Sequence, residues 1–277
     1  MKNKKKLILI ISIIFFINLE KAFSDQFNFE AKEIQIKEDG KILYAKDGVK
    51  ITSSNNIEII ADSFLYNKSS LTLSVEGKVE INDSTNNIKI FGKKFIYEKK
   101  NEKIFSETDV KVILDNKYNF DAKEITYLIE EKKITSDKKT FLTDTLGNVI
   151  QSDNFDYSIS KGIFKSNKVI YTDNIGNKHV VDSAILNTQT NEMLGKDFEI
   201  NFHKDTFGNS NNDPRLKGNA LFVKNNETKI SKGVFTTCKK SDKCPPWTLS
   251  AEEIVHNKVK KTMNYKNAYL KIYDQTV

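Results

Sequence analysis

The chain has 277 residues, 38% of them hydrophobic and 29% charged, and a formal net charge of +7. This length allows one long domain or two ordinary ones. Arg215 is the single arginine among 44 basic residues. Because nucleic-acid and phosphate sites usually rely on the bidentate guanidinium group, the composition argues against nucleic-acid binding.

Residues 1–24 are predicted to be a secretory signal peptide. A lysine-rich start precedes a mostly apolar run from Leu7 to Leu19, which is short for a membrane span. Small residues at Ala22 and Ser24 favour cleavage before Asp25. Removing the five Lys and one Glu of this segment lowers the formal charge from +7 to +3. The chain is therefore expected to be exported; an uncleaved membrane anchor is the alternative.

A repeat of about 30 residues follows. In each copy a small residue is followed three places on by Phe or Ile. The pairs are Ala31/Ile34, Ala61/Phe64, Gly92/Phe95, Ala122/Ile125, Ser152/Phe155 and, imperfectly, Asp182/Ile185. A tyrosine comes two places later in four copies, at Tyr66, Tyr97, Tyr127 and Tyr157. Such a period is typical of stacked repeats, in which no unit can bury its apolar face alone.

Apolar and polar residues alternate within each copy, which predicts strands with one buried face. The alternation slips by one place after the small residue, as between Ala61 and Phe64. A regular strand would turn inside out at such a slip, so we expect a bulge or corner there, for example at Asp62-Ser63 or Lys93-Lys94. The predicted fold is all-β and elongated, a stacked sheet folded over one apolar interior.

The period breaks down after residue 190. Residues 203–219 are predicted to be a loop, and strand patterns resume at Ala220–Val223, Thr248–Ile254 and Leu270–Tyr273. The two cysteines, Cys238 and Cys244, lie close together in this region. In an exported protein this spacing favours an oxidised pair, with intermolecular pairing as the alternative.

These patterns resemble a known family. The repeat of small residue, two polar residues, Phe or Ile, and Tyr is similar to the OstA-type β-jellyroll repeat of lipopolysaccharide transport proteins. The later series resembles the segment of the LPS-assembly outer-membrane protein family LptD that leads into its barrel. That series comprises Asp213–Gly218, Gly233–Cys238, Pro245–Trp247, Ala251–Ile254, Tyr265–Ala268 and Leu270–Tyr273. The resemblance covers essentially all of the chain after the signal, whereas no barrel is present in these 277 residues.

The resemblance implies an elongated OstA-type β-jellyroll organised in three parts. Residues 1–24 would be the signal peptide and residues 25–190 the jellyroll repeats. Residues 191–277 would hold the end of the jellyroll, a cysteine-containing loop and a segment leading to a missing barrel. The chain is then interpreted as a truncated or fragmentary member. Family disulfides tie this domain to the barrel, so without a barrel Cys238 and Cys244 would bond each other.

The function implied is transport of lipopolysaccharide to the outer membrane and its assembly there, without catalysis, cofactor or metal. The expected location is the periplasm, in association with the outer membrane in full-length members. The partners implied are lipopolysaccharide and an LptA-like periplasmic bridge protein. An LptE-like lipoprotein would join only if a barrel is present.

Two sets of residues are candidate sites. An apolar groove for acyl chains would be lined by Ile34, Ile59, Phe64, Ile90, Phe95, Phe120, Ile125, Phe155 and Tyr157. The first strand after the signal would be an edge that docks the bridge protein, through Phe27, Phe29, Ala31, Ile34 and Ile36. The alternative for the first set is an ordinary core, and for the second an edge capped by the chain itself.

No catalytic constellation is visible in the sequence. His179, His203 and His256 are dispersed without ligand spacing, and no nucleophile motif or phosphate loop occurs. Two other interpretations stay open. One is a stand-alone bridge of the LptA or LptC kind, and the other is a sealed β-solenoid acting as an adhesin, a structural protein or a polysaccharide enzyme.

Overall fold

The computed structural model describes residues 27–204, 208–241, 245–257, 259–260, 262–273 and 275–277. The predicted signal peptide and Cys244 lie outside these residues. Within them, 24 β-strands form one antiparallel ladder, and the connecting turns and loops include two short 3-10 segments, Glu38–Gly40 and Lys99–Asn101. The prediction of an elongated, all-β stacked sheet is confirmed.

The strands follow one another along the whole described chain. The first twelve are β1 Asn28–Ala31, β2 Gln35–Lys37, β3 Ile42–Ala45, β4 Val49–Thr52, β5 Ile57–Ala61, β6 Ser63–Asn67, β7 Thr72–Asp83, β8 Ile88–Glu98, β9 Lys103–Ser106, β10 Val110–Leu114, β11 Tyr118–Ala122 and β12 Ile125–Leu128. The others are β13 Lys133–Ser136, β14 Thr140–Asp144, β15 Val149–Ser152, β16 Phe155–Ser158, β17 Ile163–Thr172, β18 Lys178–Asn187, β19 Glu192–Asn201, β20 Arg215–Lys224, β21 Glu227–Thr236, β22 Trp247–Asn257, β23 Thr262–Ile272 and β24 Gln275–Thr276.

The ladder is folded into two layers that face each other. One layer, here layer A, runs through β1, β4, β5, the second half of β7, the first half of β8, β10, β11, β14 and β15. Layer B runs through β2, β3, β6, the other halves of β7 and β8, β9, β12, β13 and β16. The long strands β17 to β23 pass through both layers, and each keeps one half in each.

The change of layer occurs where the alternation slips in the sequence. Strand β5 ends at Ala61 and β6 begins at Ser63. In β8, Gly92 pairs with Val79 whereas Lys94 pairs with Glu76, so the register shifts around the intervening residues. The predicted corners are therefore confirmed, and each lets both halves of a strand face inward. In the later strands, a residue with φ near +50° stands at the corner, namely Lys168, Asp197, Lys232 and Asn267.

The inward faces form two apolar clusters, one from Phe27 to Phe164 and the other from Val169 to Ile254. In the sixth copy of the repeat the buried residues are Val181 and Ala184, whereas Ile185 is 40% exposed. This copy therefore lies one residue earlier than the pair predicted from the sequence. Strand β20 begins at Arg215, inside the predicted loop, and pairs with β19, so the ladder continues beyond residue 190.

Candidate functional site

The interior between the two layers holds most of the residues predicted to line an acyl-chain groove. Those with exposed fractions of 3% or less are Ile59, Phe64, Ile90, Phe95, Phe120, Ile125, Phe155 and Tyr157. The remaining member, Ile34, is 36% exposed and lies between β1 and β2, at the first end of the ladder. The structure thus brings eight of the nine predicted residues into one apolar interior.

Aromatic rings from the two layers meet in this interior. Phe29 of layer A stacks on Phe64 of layer B, with ring centroids 4.6 Å apart, and Phe120 and Phe155 meet at 5.4 Å. A narrow gap beside Phe120 has no room for a water molecule. Its lining is Val112, Leu114, Phe120, Ile134, Phe155 and Tyr157. In this conformation the two layers are packed directly against each other.

In the part of the chain that the structure describes, the two layers are joined by the chain at the corners only, and their opposite sides end in turns. The turns of layer A, here lip A, include residues 53–56, 84–87, 115–117, 145–148 and 173–177. The turns of layer B, here lip B, include residues 38–41, 68–71, 99–102, 129–132 and 159–162. The line along which the lips face each other is the seam. Because no peptide bond crosses it, the seam is the side on which the layers can separate.

The repeated tyrosines lie beside the seam, on layer B. Burial raises the pKa of Tyr66, Tyr97, Tyr127 and Tyr157. For Tyr97 and Tyr127 the pKa is raised further by hydrogen bonds to Glu102 and Asp83. The sequence repeat therefore encodes an apolar residue that fills the interior and, two places later, a phenol that reaches the seam.

A polar cluster that sequence reasoning missed closes the seam near its first end. Lys99 is only 5% exposed, and its ammonium donates hydrogen bonds to Ser54 Oγ at 2.8 Å and to Glu102 Oε1. The Asn55 amide donates to Glu102 Oε2 at 3.0 Å, and the Tyr97 hydroxyl donates to the same carboxylate. Lysine and glutamate in a turn are typically solvated, so no signal in the sequence distinguished this buried pair from surface charges.

The motifs that carried the resemblance in the later part of the chain also come together. Arg215 Nη1 donates to the Cys238 carbonyl oxygen at 2.6 Å and to the Asp213 carbonyl oxygen at 3.0 Å. Thr236 Oγ1 donates to the Trp247 carbonyl oxygen at 2.8 Å. These bonds fasten the segment after β21 to the start of β20 and β22. The predicted disulfide stays a prediction, because Cys244 lies outside the described residues.

The predicted docking edge divides into two short strands at the first end of the ladder. β1 pairs with β4 and β2 pairs with β3, and within the part of the chain that the structure describes their other edges carry no strand. Ile36 is 68% exposed there, while Phe27 is 5% exposed and packs against Tyr66 and Tyr97 across the seam, at 5.4 and 5.0 Å. Ile36 and Ile34 are therefore the accessible apolar residues of this edge.

The described residues offer neither a metal site nor a helix that spans a membrane. Among these residues, His, Cys, Asp and Glu form no group that could hold a metal ion. None of the helical segments in the same residues has the length and apolar character needed to cross a membrane.

The chain shows similarity to known proteins at the level of structure. No family model matches the chain, and no curated protein matches it. Among solved structures, the chain is similar to LptH of Pseudomonas aeruginosa, described as the LptA homologous periplasmic component of the conserved lipopolysaccharide transport device. The match has 9% identity and a TM-score of 0.23, and it covers 51% of this chain and 82% of LptH. A similarity at this level of identity and TM-score assigns no function to this chain.

Proposed function

We propose that the protein is a lipopolysaccharide transport module of the OstA type, with the role of the periplasmic domain of LptD. In this role it accepts lipopolysaccharide from a periplasmic bridge protein and guides the acyl chains along its interior towards the outer membrane. The observation that carries the proposal is the apolar interior, which runs along the ladder between two layers joined on one side only. That the lipid is lipopolysaccharide is inferred from the resemblance of the repeat and of the later motifs to lipopolysaccharide transport proteins.

The energetics of the interior are compatible with a lipid passage. Each Phe or Ile side chain removed from water contributes about 1.5–3 kcal/mol. An acyl chain between the layers would replace contacts between side chains with contacts of the same apolar kind. The charges and tyrosine hydroxyls at the lips would then face the polar part of the lipid. In the absence of lipid, the layers pack against each other and keep the interior out of water.

Photo-crosslinking in cells tests the proposal. A photoreactive amino acid at Phe64, Phe95 or Phe155 is expected to capture lipopolysaccharide. The matched control is Lys94, whose side chain is 51% exposed, beside Phe95 in sequence and on the outer face. Capture at Lys94 with none at the three inner positions would overturn the proposal.

A second candidate function is a stand-alone bridge of the LptA or LptC kind. It is favoured by the free edges of β1 and β2, because an unpaired strand can bind a partner's strand through backbone hydrogen bonds. Purified protein and the bridge protein would be mixed without membranes. This candidate would be favoured if the protein binds lipid and also binds partners at both ends of the ladder.

If the protein captures no amphiphile in any of these assays, the sealed β-solenoid is favoured instead.

A further inference from the structure

Among the described residues, hydrogen bonds cross the seam at two neighbouring places in the first half of the ladder. At the first place, Ser54 and Asn55 of lip A bond to Lys99 and Glu102 of lip B, at 2.8 and 3.0 Å. At the second, Asp83 of layer A, 3% exposed, accepts a hydrogen bond of 2.5 Å from the Tyr127 hydroxyl of layer B. Asn86 Nδ2, on lip A, donates to the same hydroxyl at 3.0 Å.

The charged groups at both places have partners on their own lip as well. Lys99 and Glu102 form an ion pair within lip B. Asp83 accepts hydrogen bonds from Asn86 Nδ2 at 2.7 Å and from the Asn86 backbone at 3.0 Å, both within lip A. If the lips separate, each charge keeps these partners and regains water. Opening therefore leaves no buried charge unpaired, which is the arrangement that would cost most.

An apolar contact at the same positions would behave differently. Separating two apolar surfaces exposes them to water, and the cost rises with the exposed area. Separating neutral or charged polar groups replaces protein hydrogen bonds with hydrogen bonds to water, so the net change per bond is small. At these two places the closure is specific in geometry, and its hydrogen bonds are exchanged for bonds to water at low cost. The apolar contacts across the seam, such as that of Phe27 with Tyr97, would be taken over by an amphiphile that enters between the layers.

The later half of the ladder is packed less tightly next to the seam. Inward-facing residues there that are only half-buried include Tyr171, Leu186, Met193, Val223, Trp247 and Met263. The corresponding residues of the first half, such as Ile57, Ile88 and Ile104, are fully buried. The tightly packed part of the seam therefore includes both places where these hydrogen bonds cross it.

We propose that these two groups of hydrogen bonds form a latch that holds the first half of the seam closed and opens reversibly when an amphiphile passes. The latch consists of Ser54 and Asn55 bonded to Lys99 and Glu102, and of Asp83 and Asn86 bonded to Tyr127. The inference that an amphiphile opens it rests on the proposed function. The latch itself is a property of the empty protein and can be tested without lipid.

The test uses the full chain with a triple change, Ser54→Ala, Asn55→Ala and Tyr127→Phe. These substitutions remove only partners across the seam and leave the Lys99–Glu102 pair intact. Spin labels at Thr85→Cys and Lys100→Cys, on lips A and B, report the lip separation by pulsed electron resonance, with both native cysteines replaced by serine. Since each lost bond shifts an equilibrium about fivefold, the open population is expected to rise strongly and the distance distribution to broaden.

Tyr157→Phe is the matched control, because it removes a tyrosine hydroxyl at the same place in the repeat. That hydroxyl contacts Thr188 Oγ1 at 3.2 Å, and both residues belong to layer B and its lip. The control is expected to leave the label distance unchanged. A triple variant with the parent's distance distribution, while circular dichroism shows it folded, would overturn the latch.

A second measurement separates the latch from the proposed function. Fluorescently labelled lipopolysaccharide is added to the same variants, and the rate of uptake is expected to rise severalfold in the triple variant. A widened seam without any lipid uptake would support the latch and contradict the proposed function. The opposite result would overturn the latch but not the proposed function: the parent takes up lipid, and the lip separation of the triple variant equals that of the parent.

Discussion

Gly92 lies directly beneath the ring of Phe95, three residues further along the same strand. A Cβ atom at Gly92 would be 2.8 Å from Phe95 Cε2, closer than real Cβ contacts. The same relationship recurs between strands, since a Cβ at Gly218 would be 2.7 Å from Phe198 Cε1. The small residue of the repeat is thus required because the large residue of the corner packs over it.

Gly92→Val is therefore expected to destabilise the fold by about 1–3 kcal/mol, the usual cost of overpacking a core. Urea unfolding followed by circular dichroism measures the change. Adding Phe95→Leu to Gly92→Val should recover part of the loss, since the smaller side chain leaves room for the new methyl groups. Equal stability of Gly92→Val and the parent would show that the corner has free space.

Gly77 is a second corner position with a steric requirement. Its φ is +103°, and a Cβ there would be 2.2 Å from Asp62 Oδ2, which accepts a hydrogen bond from the Lys78 backbone at 3.0 Å. Gly77→Ala is expected to cost more than about 1 kcal/mol, because both the backbone and the Asp62 side chain must shift.

Gly147→Ala is the matched control for Gly77→Ala. Gly147 has a φ of +84° and nothing within 4 Å of its Cβ position, so its substitution tests the backbone conformation alone. The difference between the two unfolding free energies then measures the contact with Asp62. A larger loss for Gly147→Ala would contradict this assignment.

Tyr171 provides a pH test of the seam in the later half. Burial, with smaller contributions from Asp173 and Asp144, raises its pKa from 10.0 to about 12. The folded state holds the phenolic proton more tightly than the unfolded state. The stability that this residue contributes is thus complete below pH 10 and is lost as the pH rises from 10 towards 12.

Absorbance at 295 nm measures tyrosine ionisation. Subtracting the absorbance of Tyr171→Phe from that of the parent at each pH gives the contribution of Tyr171. The unfolding free energy of the parent should fall more steeply above pH 10 than that of Tyr171→Phe. Identical pH profiles for the two proteins would mean that the phenol ionises as freely as it does in water.

If a bridge protein docks at the first end of the ladder, a substitution of the exposed Ile36 should weaken its binding. Ile36→Asp places a charge on the exposed edge strand and is expected to weaken binding of an LptA-like bridge protein at least tenfold, by calorimetry. Leu65→Asp is the control, because Leu65 is 44% exposed on β6, which has a neighbouring strand on each side. Equal effects of the two substitutions would count against docking at this edge.

The inward faces and the corners could be predicted from the sequence because each depends on local alternation. Phe64, Phe95 and Phe155 lie in the interior as their place in the repeat indicates. The same rule failed at Ile185, because the sixth copy is one residue shorter: its buried residue Ala184 follows Phe155 by 184 − 155 = 29 places. Beyond residue 190, strands of 10 or 11 residues and loops of unequal length hide the period, although the corners persist.

The candidate site was predictable only in its apolar part. The burial of Lys99 follows from the approach of two turns that are more than 40 residues apart, and no local pattern records that approach. The pairing of Asp83 with Tyr127 has the same origin. A charged residue in a turn has the same sequence signature whether it closes a seam or faces solvent. Only the three-dimensional arrangement distinguishes the two cases.

The strand pairing of the ladder also determines how the chain folds. Partners in the described registers are at most 30 residues apart, as for Met193 with Val223 and Glu227 with Asn257. Folding can therefore begin at any adjacent hairpin and spread in both directions without waiting for a distant segment. Loss of strands from the far end would shorten the protein by whole units and leave the earlier repeats, with their own apolar cluster, able to fold.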